Sequence, residues 1–214
     1  MMRTEELAAM LARGAAVERL PRSAHLWVIA SAGGLVAATA VLLIAFGLHP
    51  QLLSLMALGG WWAKALFSLG VAATALHAAL VLGRPGADPR RPLRLLLVPF
   101  AVMAALGAGQ LALAPVGQWG DLIVGKTWLE CMVIVAGLSV PTMVLSMRAL
   151  AAVAPTRPML AGAVAGLGAG GIGASVYALH CPEIAPAFVI VWYGFGMLAP
   201  AVVGAWVGWH WLRW

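Results

Sequence analysis

The chain has 214 residues and a formal net charge of +6, with 63% hydrophobic and only 9% charged residues. Soluble domains carry about 25% charged residues, so this composition, with a mean hydropathy of +0.97, excludes a soluble, a secreted and a disordered chain. The positive charge does not indicate direct nucleic-acid binding, because basic residues in membrane proteins concentrate on cytoplasmic loops.

Residues 1–25 form a polar segment that we expect to be a cytoplasmic domain with a short amphipathic helix. Thr4 is a suitable N-cap followed by two glutamates, and Gly14 is a suitable stop. So short a helix is marginal alone in water, so its apolar face needs a partner: the membrane surface, the protein's own loops or another protein. Three glutamates favour a protein partner. The predicted partner-binding residues are Leu7, Met10, Leu11, Val17 and Leu20.

Residues 26–214 are predicted to form an all-α transmembrane domain, a bundle of six helices joined by short loops. A helix needs about 20 apolar residues to cross the hydrocarbon core. Pro141 and Pro200 lie inside two of the segments and predict kinks there. The six segments are 26–46, 60–82, 93–113, 128–147, 160–179 and 187–209.

The orientation of the bundle follows from its basic residues. Eleven of the thirteen Lys and Arg residues lie in the amino-terminal segment, the second and fourth loops and the carboxyl-terminal tail. Because cytoplasmic loops are enriched in Lys and Arg, both termini are predicted to be cytoplasmic. The first, third and fifth loops are then outside. Lys64, just inside the second span, is predicted to extend its amine to the headgroups, and Trp27 and Trp61 to belong to the interfacial aromatic belts.

The fifth span contains a formal G-x-G-x-x-G pattern at Gly166, Gly168 and Gly171. A dinucleotide site requires this pattern between a strand and a helix, and here it lies within a membrane span. Three glycines spaced four residues apart instead predict a smooth stripe for helix packing. They are Gly162, Gly166 and Gly170.

Two cysteines are predicted to meet at the outer face. Cys131 begins the fourth span and Cys181 lies in the turn between the fifth and sixth, so topology brings both to the same depth. Glu130, His180 and Glu183 are their polar neighbours. Thiolate, imidazole and carboxylate together suit a soft or borderline divalent metal ion, so these five residues are a candidate metal site.

Three interpretations of the cysteines remain open at this point: sensing or metal capture, a structural disulfide, and ordinary core packing. The sequence has no C-x-x-C motif and no serine–histidine–acid constellation, which argues against an enzyme. The competing functional hypothesis is a membrane thiol or quinone-linked redox protein that uses the same cysteines. A purely structural subunit is a third.

The stretch Tyr177-Ala-Leu-His-Cys-Pro-Glu183, the cysteine that follows Trp128-Leu-Glu130, and the opening Thr4-Glu-Glu-Leu7 resemble one known family. These are the six-span bacterial anti-sigma factors of the NrsF type, which restrain extracytoplasmic-function (ECF) sigma factors. The resemblance implies a multi-pass protein of the bacterial inner membrane that regulates transcription in a stress response. It implies an ECF sigma factor as partner and no obligatory cofactor. It also assigns sensing of a soft divalent metal ion or of oxidative stress to Cys131 and Cys181.

Overall fold

The computed structural model describes residues 23–84 and 88–212, and within them the chain is helical without strands. Six helices there are long and apolar enough to cross a membrane, which confirms the predicted all-α bundle. The helix predicted between Thr4 and Gly14 and the five partner-binding residues lie outside the described residues. The six long helices are α1 (Ser23–Ala45), α2 (Gly59–Leu82), α3 (Arg90–Leu113), α4 (Trp128–Val153), α5 (Pro158–Tyr177) and α6 (Pro186–Trp211).

Short connections join the helices at the two ends of the bundle. At one end lie residues 46–58, 114–127 and 178–185, which include short helices at Leu52–Met56 and Trp119–Val124 and a 3-10 turn at Val116–Gln118. We call this end, which carries both cysteines, the cysteine end. The opposite end carries Arg84, Arg90, Arg148 and Arg157, and we call it the arginine end.

Helix α5 occupies the centre of the bundle and packs against α6, α4, α2 and α1. Its small residues permit this, because helices without bulky side chains at the contact can approach to backbone distance. A Cβ added to Gly162 would overlap the carbonyl oxygen of Gly204, and one on Gly166 would overlap that of Pro200. A Cβ on Gly170 would lie 2.8 Å from the Cα of Met197. All three glycines of the stripe therefore face α6 at backbone contact.

Replacing Gly166 with Val should separate α5 from α6. The added side chain meets the backbone of Pro200, which cannot rotate away, so we expect a loss of at least about 2 kcal/mol of stability. Gly137 in α4 is the matched control, since a Cβ there has nothing within 4 Å. The measurement is the thermal midpoint of each Gly→Val variant in detergent, followed by size-exclusion chromatography. Equal midpoints for the two variants would contradict the contact.

Helix α1 packs chiefly on α4 and secondarily on α5. Gly34 marks the closest approach, because a Cβ added there would lie 2.6 Å from the Cα of Thr142 in α4. Trp27 is 2% exposed and shares a core cluster with Leu212. The prediction that Trp27 anchors the chain in the interfacial belt is therefore wrong; its ring lies in the interior of the arginine end.

Helix α6 starts irregularly at the cysteine end. Its first turn, Pro186–Phe188, is followed by a π-helical segment at Val189–Tyr193 before regular α-helix resumes at Gly194. No sequence signal indicated this segment, which lies before Pro200. Such insertions are frequent at functional sites, and this one contains the buried Tyr193.

Candidate functional site

The structure brings together the two cysteines, which are 50 positions apart in the chain. The Sγ atoms of Cys131 and Cys181 lie 3.4 Å apart as free thiols, and both side chains are fully buried. Cys131 is in the first turn of α4, where its N–H donates to Thr127 O at 2.9 Å. Cys181 follows the end of α5, where its N–H donates to Tyr177 O at 3.0 Å. Two helix ends therefore fix the positions of the two sulfurs.

Hydroxyl groups surround the sulfur pair. The Oη of Tyr177 lies 3.6 Å from Cys131 Sγ, and the Oγ1 of Thr127 lies 3.7 Å from the same sulfur. The centres of the Tyr193 and Tyr177 rings lie 5.9 Å apart, with the rings tilted by 39°. Among the described residues the Tyr193 hydroxyl has no partner in hydrogen-bond geometry, although it lies near enough to Cys181 to favour the thiolate. The chain has only two tyrosines, and both are at this site.

Lys64 is the residue at this site that the sequence interpretation misplaced. It is fully buried, and its Nζ donates to Cys181 O at 2.8 Å and to Glu183 O at 2.9 Å. The prediction that its amine reaches the headgroups is therefore wrong. The physical reason is that the turn after α5 leaves backbone carbonyls without helical partners, and the amine satisfies two of them inside the protein. An ionisable residue within a span is a functional candidate, and that rule could have found it.

The connection 178–185 is held from several sides. Trp61 Nε1 donates to Ala178 O at 3.1 Å, so Trp61 is an internal anchor and not the interfacial residue that the sequence predicted. The N–H of His49 donates to Leu179 O at 3.1 Å. On the far side the N–H of Lys126 donates to Glu183 Oε1 at 3.0 Å. Helix α2 and the other two connections of the cysteine end thus all contact the segment that carries Cys181.

The five predicted metal ligands do not converge on one point. His180 Nδ1 lies 3.0 Å from Gly47 O, a group that only accepts, so this nitrogen carries the proton. The Glu183 carboxylate accepts from Lys126, and Glu130 is exposed. Within residues 23–84 and 88–212 no three His, Cys, Asp or Glu side chains are placed to hold an ion. The structure brings together only the two thiols of Cys131 and Cys181 among these five residues, so the chemistry of the site is that of a dithiol.

The environment of Cys181 favours its thiolate. A hydrogen bond from the Cys131 thiol lowers the pKa of Cys181 from 9.0 to about 6, with further help from the positive charge of Lys64 and against the effect of burial. A thiolate, and not a thiol, is the nucleophile and the metal ligand. Cys181 is therefore the reactive member of the pair, and Cys131 is the donor that stabilises it.

The rate at which a hydroperoxide consumes the Cys181 thiol should depend on pH accordingly. Because the pKa is lowered to about 6, the rate should be nearly constant above pH 7 and fall about tenfold per unit below 6. An ordinary cysteine would instead continue to gain reactivity towards pH 9. The measurement is loss of free thiol in the purified protein between pH 5 and 9. Cys131→Ala removes the donor, so trapping of the Cys181 sulfenic acid should shift to higher pH; identical profiles would refute the assignment.

Comparisons with known proteins identify the family to which the chain belongs. The family NrsF, described as "Negative regulator of sigma F", matches residues 11–214. The chain is 39% identical over 213 residues to the "Probable anti-sigma-F factor NrsF" of Azospira oryzae, with all of both chains covered. It is 35% identical over 216 residues to the "Anti-sigma-F factor NrsF" of Caulobacter vibrioides, again over the full length of both. No solved structure matches. Both relatives are named as anti-sigma-F factors, and the chain belongs to the NrsF family of negative regulators of sigma F.

Proposed function

We propose that this protein is an anti-sigma factor of the bacterial inner membrane that holds an ECF sigma factor and releases it when the cysteine pair reacts. The observation that carries the proposal is the contact of 3.4 Å between Cys131 and Cys181 in a chain of this family. The contact lies at the opposite end of the bundle from Ser23, where the described chain begins. Signal and partner would thus be on different sides of the membrane.

The distribution of basic residues supports this sidedness. The arginine end faces the cytoplasm if the enrichment of cytoplasmic loops in Lys and Arg applies here. Residues 1–22 then lie in the compartment that contains sigma factors, and the cysteine end faces the periplasm. The sigma factor would bind the apolar positions between Leu7 and Leu20, which lie outside the described residues. Sequestration by occupation of the sigma factor's surface needs no catalysis.

The signal would be an oxidant or a soft metal ion that reacts with the two sulfurs. A pair of sulfurs without a third ligand suits disulfide formation or bridging by a soft ion better than a closed tetrahedral zinc site. Shifting a two-state equilibrium from 1:99 to 99:1 requires about 5.5 kcal/mol of differential stabilisation. Bonds to two sulfurs are strong enough for this, whereas one added hydrogen bond contributes about 1 kcal/mol.

Co-purification from the native host tests the proposal. The full chain, solubilised in mild detergent, should retain a sigma factor, and the same chain without residues 1–22 should lose it. Treating the full chain with a hydroperoxide before purification should lower the retained amount, while Cys131→Ser should remove that sensitivity. Absence of any sigma factor from the untreated full-chain sample would reject the anti-sigma function. Retention that is unaffected by treatment would reject the signalling role of the cysteines.

A further inference from the structure

Lys64 is a fully buried lysine, and the proposed function assigns no role to the two backbone hydrogen bonds that its amine donates. It lies in α2, whereas the two cysteines belong to α4 and to the connection between α5 and α6. A lysine in a membrane span is costly to bury, so its position calls for a specific compensation. The hydrogen-bond partners of its amine are two backbone carbonyls and not a carboxylate. The amine therefore fixes the backbone conformation of residues 181–183.

The two carbonyls that Lys64 contacts belong to Cys181 and to Glu183, two residues later in the chain. Cys181 is outside any helix, so the position of its sulfur depends on what holds the backbone of residues 181–183. The N–H of Cys181 is fixed to the end of α5 through Tyr177 O. Its carbonyl and the carbonyl of Glu183 are both fixed to Lys64 Nζ, which also lies 5.9 Å from the centre of the Tyr193 ring. Removal of the amine would leave the backbone after Cys181 without its two carbonyl contacts, held there only through the Glu183 side chain on the N–H of Lys126.

We propose that Lys64 is a positioning residue for the cysteine pair, which holds Cys181 against Cys131 and makes α2 part of the signalling site. This inference rests on the proposed function, because it assigns Lys64 a role in the reaction of that pair. Bond formation between the sulfurs requires alignment as well as reactivity, since well-oriented groups react with effective molarities of about 10⁵ M or more. Lys64 supplies the alignment.

The reaction with a hydroperoxide proceeds in two steps that depend differently on Lys64. First, the Cys181 thiolate attacks the outer oxygen of the hydroperoxide, which gives a sulfenic acid and releases an alkoxide that takes a proton from water. Second, the Cys131 sulfur attacks the Cys181 sulfenic acid, which gives a disulfide and one molecule of water. The first step depends on the Cys181 thiolate, which the charge of Lys64 helps to stabilise. The second step needs the two sulfurs in contact, and it is the step that positioning accelerates.

The test compares disulfide closure in four variants of the full chain in lipid nanodiscs. Lys64→Met removes both hydrogen bonds, and Lys64→Gln keeps a shorter donor. Lys126→Met is the matched lysine control, because the hydrogen bond from Lys126 to the connection is donated by its backbone N–H, which methionine keeps. Trp61→Phe removes the neighbouring tie between α2 and the same connection, at Ala178 O. After addition of hydroperoxide, closure is followed by the loss of maleimide-reactive thiols, and open sulfenic acid is trapped with a 1,3-diketone.

Closure should be at least tenfold slower in Lys64→Met, intermediate in Lys64→Gln and unchanged in Lys126→Met. The share of oxidised Cys181 that is trapped as sulfenic acid should rise in Lys64→Met, which neither a mere loss of stability nor a slower first step produces. Rates are measured on the monodisperse fraction of each variant. If Lys64→Met does not fold, the rate of Lys64→Gln serves as the test in its place. Closure in either Lys64 variant at the parental rate, or equal slowing in Trp61→Phe, would overturn the inference. If a sigma-dependent reporter ignores both cysteines while closure still depends on Lys64, the proposed function fails and the positioning role stands.

Discussion

A chain that lacks residues 1–22 should leave sigma-dependent transcription fully active with or without stress. Under the proposed function this segment, which precedes the described bundle that begins at Ser23, is the contact with the sigma factor. If the full chain holds about 99% of its partner, removal of the segment raises free sigma factor by roughly a hundredfold. A reporter from a sigma-dependent promoter, compared with a strain that lacks the whole gene, measures the effect.

Two controls make the deletion informative. Membrane levels of the shortened chain should match those of the parent, because the hydrophobic bundle is retained. The double substitution Leu7→Ala and Leu11→Ala in the full-length chain should reproduce most of the activation, and Arg3→Ala should not. A repressed reporter in the deletion strain, with the sigma factor present, would reject the assignment of the partner contact to this segment and with it the predicted cytoplasmic side.

Replacing either cysteine with serine should abolish the response to stress and preserve repression. A serine hydroxyl fits the space of the thiol, but it forms no disulfide and is a poor ligand for soft ions. Because the two sulfurs are in contact at 3.4 Å, loss of one leaves the other without a reaction partner. We expect the induced reporter signal to fall to the uninduced level in Cys131→Ser and in Cys181→Ser alike.

The matched control for the cysteine variants is Thr127→Val. This substitution removes the hydroxyl that lies 3.7 Å from Cys131 Sγ and leaves both thiols in place, so induction should persist. A parental response in both serine variants would show that the cysteines have no part in signalling. Constant activation in either variant would show instead that the thiol pair is needed to hold the repressing conformation.

Hydropathy predicted the helices well because membrane insertion depends on local composition. The predicted spans 60–82 and 93–113 match α2 (Gly59–Leu82) and α3 (Arg90–Leu113) to within three residues. Cys131 and Cys181 were predicted at the same depth for a similar reason, since an even number of crossings returns the chain to one side. The glycine positions that face α6 could also be predicted, because their spacing of four residues places them on one helix face.

Features that depend on the path of a connection could not be predicted from the sequence. The interfacial interpretation of Lys64 assumed that headgroups were its nearest polar groups, whereas the turn after α5 supplies two carbonyls from 117 and 119 positions away. Trp61 is buried for the same reason. His180 and Glu183 are neighbours of Cys181 in sequence, but successive side chains in an irregular turn point in different directions, and each finds another partner.

The close approach of Gly34 to Thr142 couples the positions of α1 and α4 between the two ends of the bundle. Helix α1, with 23 residues, is about 35 Å long and leads directly into residues 1–22. Its main neighbour is α4, which begins one turn before Cys131. Backbones in direct contact have no flexible side chains between them to absorb a displacement. A tilt or axial shift of α4 that starts at Cys131 would therefore displace α1 through the contact of Gly34 with Thr142, and with it the start of α1 at the arginine end.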